Sequence, residues 1–100
     1  MKEKIEFVLA QFNAVVGDLD GNTDRIIKII EDNRSYGSHN IIVFPELALC
    51  GYMPEDLLFR KDFALEVKKS IDRIILHVGS DEYLIFGAPH YSENLLEIWN

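Results

Sequence analysis

The sequence lacks most features that mark membrane, disulfide-rich or nucleic-acid-binding proteins. It has one cysteine, Cys50, so an internal disulfide is excluded and a reducing, cytoplasmic setting is expected. No apolar run approaches the ~20 residues that a membrane helix requires, and no apolar signal segment follows the charged start Met1-Lys2-Glu3-Lys4. Ten basic side chains stand against 17 acidic ones, and the formal net charge of −7 argues against nucleic acid as a partner.

Metal and phosphate motifs are missing as well. Cys50 has no second cysteine or histidine at ligand spacing. Gly17, Gly21 and Gly37 are scattered, without the Gly-Lys-Ser/Thr ending of a phosphate-binding loop. The sequence contains no linker, repeat or low-complexity tract, and its 100 residues fit one small domain or part of a larger one.

The first half of the sequence predicts a βαβ unit. Residues 5–12 favour a strand, and residues 13–22 favour a loop because of their Gly, Asp and Asn content. A helix is expected over residues 23–36, with Asn22 as its N-cap, a buried isoleucine stripe and Gly37 as a left-handed cap. A second strand over residues 40–44 completes the unit, which implies a parallel strand pair and an α/β fold.

The second half continues the alternation of helices and strands. A long connection over residues 45–60 is expected to hold one short helical turn at 54–58, and loops of this length tend to be functional. A second helix is predicted over residues 62–78, ended by Gly79, because apolar residues recur at steps of three and four; they are Phe63, Val67, Ile71, Ile74 and Val78. Strands are expected over 83–88 and from 95 to 99, where the pattern is cut off by Asn100.

A carboxylate stands at the point where the second strand ends. The apolar run that closes with Phe44 is typical of a strand buried on both faces, and Pro45 marks its end. Glu46 therefore lies at the carboxyl end of a parallel strand, where ligands of open α/β sheets bind. Partial desolvation would raise the pKa of a carboxyl group at this place. On position alone, the favoured interpretation of Glu46 is a turn residue or a cap for a neighbouring backbone N–H.

The residues around Glu46 resemble a known catalytic motif. Phe-Pro-Glu-Leu over residues 44–47, followed by Gly-Tyr at 51–52, resembles the segment around the catalytic glutamate of the carbon–nitrogen hydrolase (nitrilase) superfamily. The continuation Pro-Glu-Asp-Leu-Leu-Phe-Arg over 54–60 is similar to the glutaminase domains of glutamine-dependent NAD synthetases. The resemblance extends from about residue 5 to residue 100 and includes Gln11-Phe12-Asn13, Val16-Gly17-Asp18, Gly21-Asn22-Thr23, Gly87 and Pro89.

The resemblance implies a fold and a catalytic set. It implies the opening of a nitrilase-like α-β-β-α sandwich, truncated at Asn100. It also implies a Glu-Lys-Cys set, in which the cysteine attacks the amide, the glutamate takes the thiol proton as general base, and the lysine helps to stabilise the oxyanion. Glu46 matches the base, whereas the family's lysine and cysteine lie beyond residue 100.

Four further residues after the base are considered for a role. Tyr52 matches a tyrosine of the family's glutamine pocket, although simple packing with a hydroxyl partner is the alternative. Cys50 lies where the family has a small residue, so we interpret it as small and buried rather than as the nucleophile. No cationic neighbour in sequence would lower its pKa. Glu55 and Asp56 suffice as first-turn acids of a short helix.

The resemblance further implies a whole protein that hydrolyses glutamine and supplies ammonia to a separate synthetase domain. That domain, absent from residues 1–100, would use ATP and Mg²⁺ to amidate deamido-NAD, and the family's assemblies suggest a homo-oligomer. No cofactor is expected within this segment, and the segment alone is expected to be inactive. A stand-alone nitrilase-like amidase is the alternative enzyme, and a noncatalytic binding or assembly module is the alternative if 100 residues is the native length.

Overall fold

The computed structural model describes residues 4–34, 37–45, 48–51, 61–88, 90–91 and 98–99. The elements within these ranges are strand β1 (Ile5–Leu9), helix α1 (Leu19–Asp32), strand β2 (His39–Val43), helix α2 (Lys61–Leu76), strand β3 (Glu82–Ile85), and the two-residue strands β4 (His90–Tyr91) and β5 (Ile98–Trp99). Among the described residues, no helix combines the length and the apolarity needed to cross a membrane.

Strands β1, β2 and β3 form one parallel sheet in that order, with β2 in the centre. Phe7, Ile41 and Tyr83 lie side by side across the three strands. Both crossovers run in the same direction along the sheet, so right-handed connections place α1 and α2 on the same face. Contacts between α1 and α2 agree with this arrangement. The predicted βαβ unit and the α/β class are therefore confirmed.

Helix α1 begins four residues before its predicted start at Thr23. Its N-cap is Asp18, whose carboxylate accepts the Gly21 N–H at 3.0 Å, so the prediction of Asn22 as the cap is wrong. The next bond, from the Asn22 N–H to the Asp18 carbonyl oxygen at 2.9 Å, is already helical. The helix ends at Asp32 rather than at Tyr36, and Tyr36 lies outside the described residues.

The core lies between the helices and the sheet. The predicted stripe of α1 is confirmed, since Ile26, Ile27 and Ile30 are buried while Lys28, Glu31 and Asp32 are exposed. The stripe of α2 is confirmed too: Phe63, Val67 and Ile74 are buried, and Ile71 and Val78 pack partly against the core. The helix itself ends at Leu76, two residues before its predicted end at Val78.

The predicted strands were too long at their ends. Strand β1 stops at Leu9 rather than at Phe12, and β3 covers Glu82–Ile85 rather than residues 83–88. The cause is that Phe12 and Phe86 continue the apolar runs by packing against the core without joining the ladder. Strand β4 was not predicted; it pairs antiparallel with β5, which lies within the predicted final strand.

The face of the sheet opposite the helices carries large apolar side chains that remain exposed. Along β1 and β3 these are between 54% and 73% exposed; they are Ile5, Phe7, Leu9, Tyr83 and Ile85. Side chains that alternate with them on the helix-facing side, such as Val8, Ile42 and Leu84, belong to or pack against the core. Both faces of the parallel sheet are therefore apolar, although the described helices cover one of them.

An ion pair lies at the amino ends of the strands, which we call the amino edge of the sheet. The Arg34 guanidinium, just after α1, donates to both carboxylate oxygens of Glu82 at 2.9 and 3.0 Å, and also to the His77 carbonyl oxygen at 2.6 Å. The Gly79 N–H donates to the same carboxylate at 2.6 Å. The hydrogen bond from Arg34 holds the pKa of Glu82 below its usual range. This cluster joins the ends of both helices to the start of β3.

Candidate active site at the carboxyl edge of the sheet

The two site residues predicted from sequence, Glu46 and Tyr52, lie outside the described residues, as does the turn expected at 54–58. Their roles stay predictions. The structure does describe the chain on both sides of Glu46, because it includes the end of β2, Pro45 and the segment Ala48–Gly51. These described parts are the chain segments that directly precede and follow Glu46 and Leu47 in sequence.

Backbone hydrogen bonds continue past the ends of the strands at this edge. The Ala10 N–H donates to the Val43 carbonyl oxygen at 2.8 Å, and the Phe44 N–H donates to the Ile85 carbonyl oxygen at 2.9 Å. The Ala48 N–H then donates to the Pro45 carbonyl oxygen at 3.2 Å. The residues on either side of the pair Glu46-Leu47 are thus held at hydrogen-bonding distance from each other.

The segment Ala48–Gly51 is buried although it is not part of a helix or strand. Ala48 is 1% exposed, and Leu49 and Cys50 are fully buried. Buried backbone without regular structure needs hydrogen-bond partners from elsewhere. These partners come from the loop that follows β1 and from one side chain of α1.

Asn22 supplies that side chain. It is fully buried, and its Nδ2 donates to the carbonyl oxygens of Leu49 and Val15, at 2.8 Å each. Its Oδ1 accepts the Val15 N–H at 2.9 Å and an Arg25 Nη2 hydrogen at 2.6 Å. All four hydrogen-bonding positions of the amide are therefore used. The opposite amide orientation would set Oδ1 against two carbonyl oxygens, so the arrangement is unambiguous.

The two loops also meet directly. The Gly17 N–H donates to the Cys50 carbonyl oxygen at 2.9 Å. Gly51 has a φ of +79°, and a Cβ at this residue would lie 2.7 Å from both Cα and N of Val16. Only glycine meets both conditions, a left-handed backbone and direct contact with a neighbouring backbone. Gly51 is thus required where the chain leaves the buried segment toward Tyr52.

Cys50 is buried as the sequence predicts. Burial raises the pKa of its thiol to about 12, so the thiolate needed for nucleophilic attack is scarce near neutral pH. This environment agrees with the interpretation of Cys50 as a small packing residue.

A surface cleft of about 300 Å³ opens beside this edge, between the first turns of the two helices. Its lining comprises Gly17, Asp18, Leu19, Asp20, Asp62, Phe63 and Glu66. Within the described ranges, no group of three or more His, Cys, Asp or Glu side chains is arranged to hold a metal ion. The cleft adjoins the Gly17 turn, and the negative charge of its lining disfavours an anionic ligand.

The chain is similar in sequence to known proteins. The chain is 45% identical over 92 residues to the glutamine-dependent NAD(+) synthetase of Aquifex aeolicus, covering 91% of this chain and 16% of that protein. It is 43% identical over 74 residues to the enzyme of the same name from Xylella fastidiosa, covering 74% of this chain and 14% of that protein. No family profile matches the chain.

A solved structure agrees with the sequence comparison. The glutamine-dependent NAD+ synthetase of Acinetobacter baumannii, determined in complex with ADP, superposes with a TM-score of 0.68 at 29% identity, over 88% of this chain and 16% of that chain. The chain thus has the same α/β fold as the matching part of that synthetase. This agrees with the fold predicted for the start of a nitrilase-like domain. The curated homologues of the chain are glutamine-dependent NAD synthetases, and the chain spans about a sixth of their length.

Proposed function

We propose that these residues form the N-terminal part of the glutaminase domain of a glutamine-dependent NAD synthetase. The complete protein hydrolyses glutamine and passes the ammonia to a synthetase domain outside residues 1–100, which uses ATP and Mg²⁺ to amidate deamido-NAD. The observation that carries this proposal is the similarity of nearly the whole chain to curated synthetases. It favours the synthetase over a stand-alone amidase.

In this proposal Glu46 is the general base. It takes the proton of a cysteine thiol that lies beyond Asn100, as the thiol attacks the glutamine amide; a lysine, also beyond Asn100, helps to stabilise the oxyanion. The hydrogen bond between Ala48 and Pro45 supports this role, because it fixes the chain on either side of the base. The raised pKa of Cys50 supports the assignment of the nucleophile to a different cysteine.

Tyr52 contributes to the glutamine pocket in the same proposal. It directly follows Gly51, whose contact with Val16 fixes the start of that stretch of chain. A tyrosine can pack against the aliphatic part of glutamine while its hydroxyl binds a polar group.

The exposed apolar face of the sheet supports the placement of this segment within a larger domain. In an α-β-β-α sandwich, a second sheet packs on the face that α1 and α2 do not cover. The side chains on that face include Phe7 and Ile85, which are 67% and 56% exposed. A second sheet from the same domain would bury them.

The partners and setting complete the proposal. Glutamine is the substrate of this domain, deamido-NAD and ATP are the substrates of the synthetase domain, and the complete protein is a cytoplasmic homo-oligomer. Ligase and hydrolase activities thus belong to one protein of NAD biosynthesis.

The test uses the complete gene product that contains these 100 residues. Glu46→Gln should abolish NAD formation from glutamine while leaving NAD formation from free ammonia within a few-fold of wild type. The amide is nearly isosteric but cannot accept the thiol proton. Glu31→Gln, a change at an exposed residue of α1, serves as the matched control and should leave both activities intact.

The outcomes separate the alternatives. Glutamine-driven turnover near wild type in Glu46→Gln would remove Glu46 from the mechanism. Ammonia release from glutamine without any NAD formation would favour the stand-alone amidase. Absence of both activities in the wild-type protein would favour the noncatalytic module.

A further inference from the structure

We infer that Asn22 is a positioning residue for the catalytic base, an inference that rests on the proposed function. Asn22 lies on α1, and the hydrogen bonds described for its side chain are to Val15, Leu49 and Arg25. It acts through the segment Ala48–Gly51, which lies between these two residues in sequence.

The first step is the bond from Asn22 Nδ2 to the Leu49 carbonyl oxygen. It is 2.8 Å long, fully buried, and joins residues 27 positions apart. Leu49 lies three residues after Glu46 and three before Tyr52, at the midpoint of the stretch. A single bond at this point therefore constrains the chain toward both predicted site residues.

The second step is that the same amide also fixes the loop against which this segment packs. The exchange of two hydrogen bonds with Val15, at 2.8 and 2.9 Å, orients the loop so that the Gly17 N–H reaches the Cys50 carbonyl oxygen. Asn22 thus fixes the position of the two loops relative to each other. The close contact between Gly51 and the Val16 backbone further restricts their relative movement.

The third step concerns the strength of these bonds. The charged Arg25 guanidinium donates to Asn22 Oδ1 at 2.6 Å, which is a charge-assisted hydrogen bond. Withdrawal of electron density toward Oδ1 makes Nδ2 a stronger donor to Leu49 and Val15, because linked hydrogen bonds polarise one another. Arg25 therefore reinforces the same contact.

The side chain has to be a neutral amide. An aspartate at this position keeps the shape and the two accepted bonds but loses both donated bonds. It also faces the Leu49 and Val15 carbonyl oxygens with a negative charge. We expect Asn22→Asp to push the Leu49 segment away from α1 and, with it, the base.

The test again uses the complete protein, with glutamine-driven and ammonia-driven NAD formation measured in parallel from pH 6 to 9. Asn22→Asp should lower glutamine-driven kcat about 10- to 100-fold at pH 7, the usual cost of a small misplacement of a catalytic group. Ammonia-driven turnover should stay within a few-fold of wild type.

The pH profile separates positioning from a general structural loss. With the base displaced, the thiolate forms mainly by ordinary ionisation of the thiol, whose reference pKa is about 8.5. The deficit of Asn22→Asp relative to wild type should therefore shrink as the pH rises toward 9. A loss of folded protein alone would give the same deficit at every pH.

Asn40→Asp is the matched control. Asn40 is also fully buried, and its Nδ2 donates to the Asn33 carbonyl oxygen at 3.4 Å, but it lies at the opposite, amino edge of the sheet. This variant loses the donor capacity of a buried amide too, so it reports the cost of the chemical change itself. Its glutamine-driven pH profile should match that of wild type.

Each outcome has a defined meaning. A pH-independent deficit in Asn22→Asp, or an equal profile change in Asn40→Asp, would overturn the inference. If Asn22→Asp loses ammonia-driven turnover as well, Arg25→Gln decides: a smaller loss with the same pH trend supports the inference, and an unchanged profile contradicts it. A wild-type protein without glutamine-driven turnover would overturn the proposed function together with this role.

Discussion

The exposed apolar face of the sheet gives the most direct test of where this segment belongs. Five large side chains on β1 and β3 are more than half exposed, and Phe7, the middle residue of β1, is 67% exposed. Complete burial of such a side chain contributes roughly 1.5–3 kcal/mol. Covering the remaining exposed fraction of all five contributes about 5–9 kcal/mol, comparable with the ~5–15 kcal/mol net stability of a whole domain.

The perturbation is Phe7→Lys in the complete protein, with Leu76→Lys as the control. Leu76 ends α2 and is 83% exposed, so a lysine there should change the free energy of unfolding by less than ~0.5 kcal/mol. If a second sheet covers Phe7, the lysine loses the aromatic packing and buries a charge, and we expect a cost of at least ~3–5 kcal/mol. Urea unfolding of both variants measures the difference.

In the isolated 100-residue chain, we expect Phe7→Lys to be favourable rather than costly. The isolated chain should be inactive and aggregate, or lack a cooperative thermal transition, because the described helices and strands leave one apolar face and the sheet edges uncovered. Phe7→Lys should increase its solubility, since the lysine is in water there. Equal, small costs of the two lysines in the complete protein would refute the covered face. A monomeric, sharply melting 100-residue chain would favour the autonomous noncatalytic module.

Three further predictions concern single residues in the complete protein. Cys50→Ser should keep glutamine-driven turnover within a few-fold of wild type, and a thiol-alkylating glutamine analogue should still label it beyond residue 100; loss of labelling would make Cys50 the nucleophile. Gly51→Ala should cost at least ~2 kcal/mol in urea unfolding, from the left-handed backbone and the contact with Val16. Gly37→Ala is the control, because Gly37 has a φ of +101° but no atom lies within 4 Å of an added Cβ. If both substitutions lower the free energy of unfolding equally, the close contact between Gly51 and Val16 is contradicted. The pKa of Glu82 is lowered in the folded state, so the stabilisation by its carboxylate is complete above the unfolded pKa of about 4.3 and is lost as the pH falls through the folded pKa. The difference in Tm between wild type and Glu82→Gln should therefore shrink between pH 6 and pH 3. A constant difference would contradict the lowered pKa.

The helices could be predicted well because their buried residues repeat with the period of an α-helix. The isoleucines of α1 and the Phe63-to-Val78 stripe of α2 identified the faces that pack on the sheet. The ends of the elements could not be placed as closely, since Phe12 and Phe86 belong to the core without extending a strand. Apolar character reports burial, whereas strand ends are set by hydrogen bonds to neighbouring chains.

The role of Asn22 could not be found from local sequence. Asparagine is among the preferred N-cap residues, and that local preference led to the wrong start of α1. The actual cap, Asp18, leaves the Asn22 side chain free to bond to Leu49, which is 27 residues away. A contact over that distance depends on the packing of two loops, which the periodicity of one sequence does not contain.

The two edges of the sheet are held by different chemistry, and the difference has a functional consequence. The amino edge depends on the Arg34–Glu82 ion pair, which weakens when the carboxylate is protonated in acid. At the carboxyl edge, the Asn22 amide joins the segment Ala48–Gly51 to the loop after β1, and this amide does not titrate in the physiological range. The loops at the proposed site should therefore keep their register at pH values where the proposed base Glu46 takes up its own proton. If the proposed roles of Glu46 and Asn22 hold, an acidic fall in glutamine-driven turnover of the folded protein should follow the protonation of Glu46 rather than a loss of the Asn22 contacts.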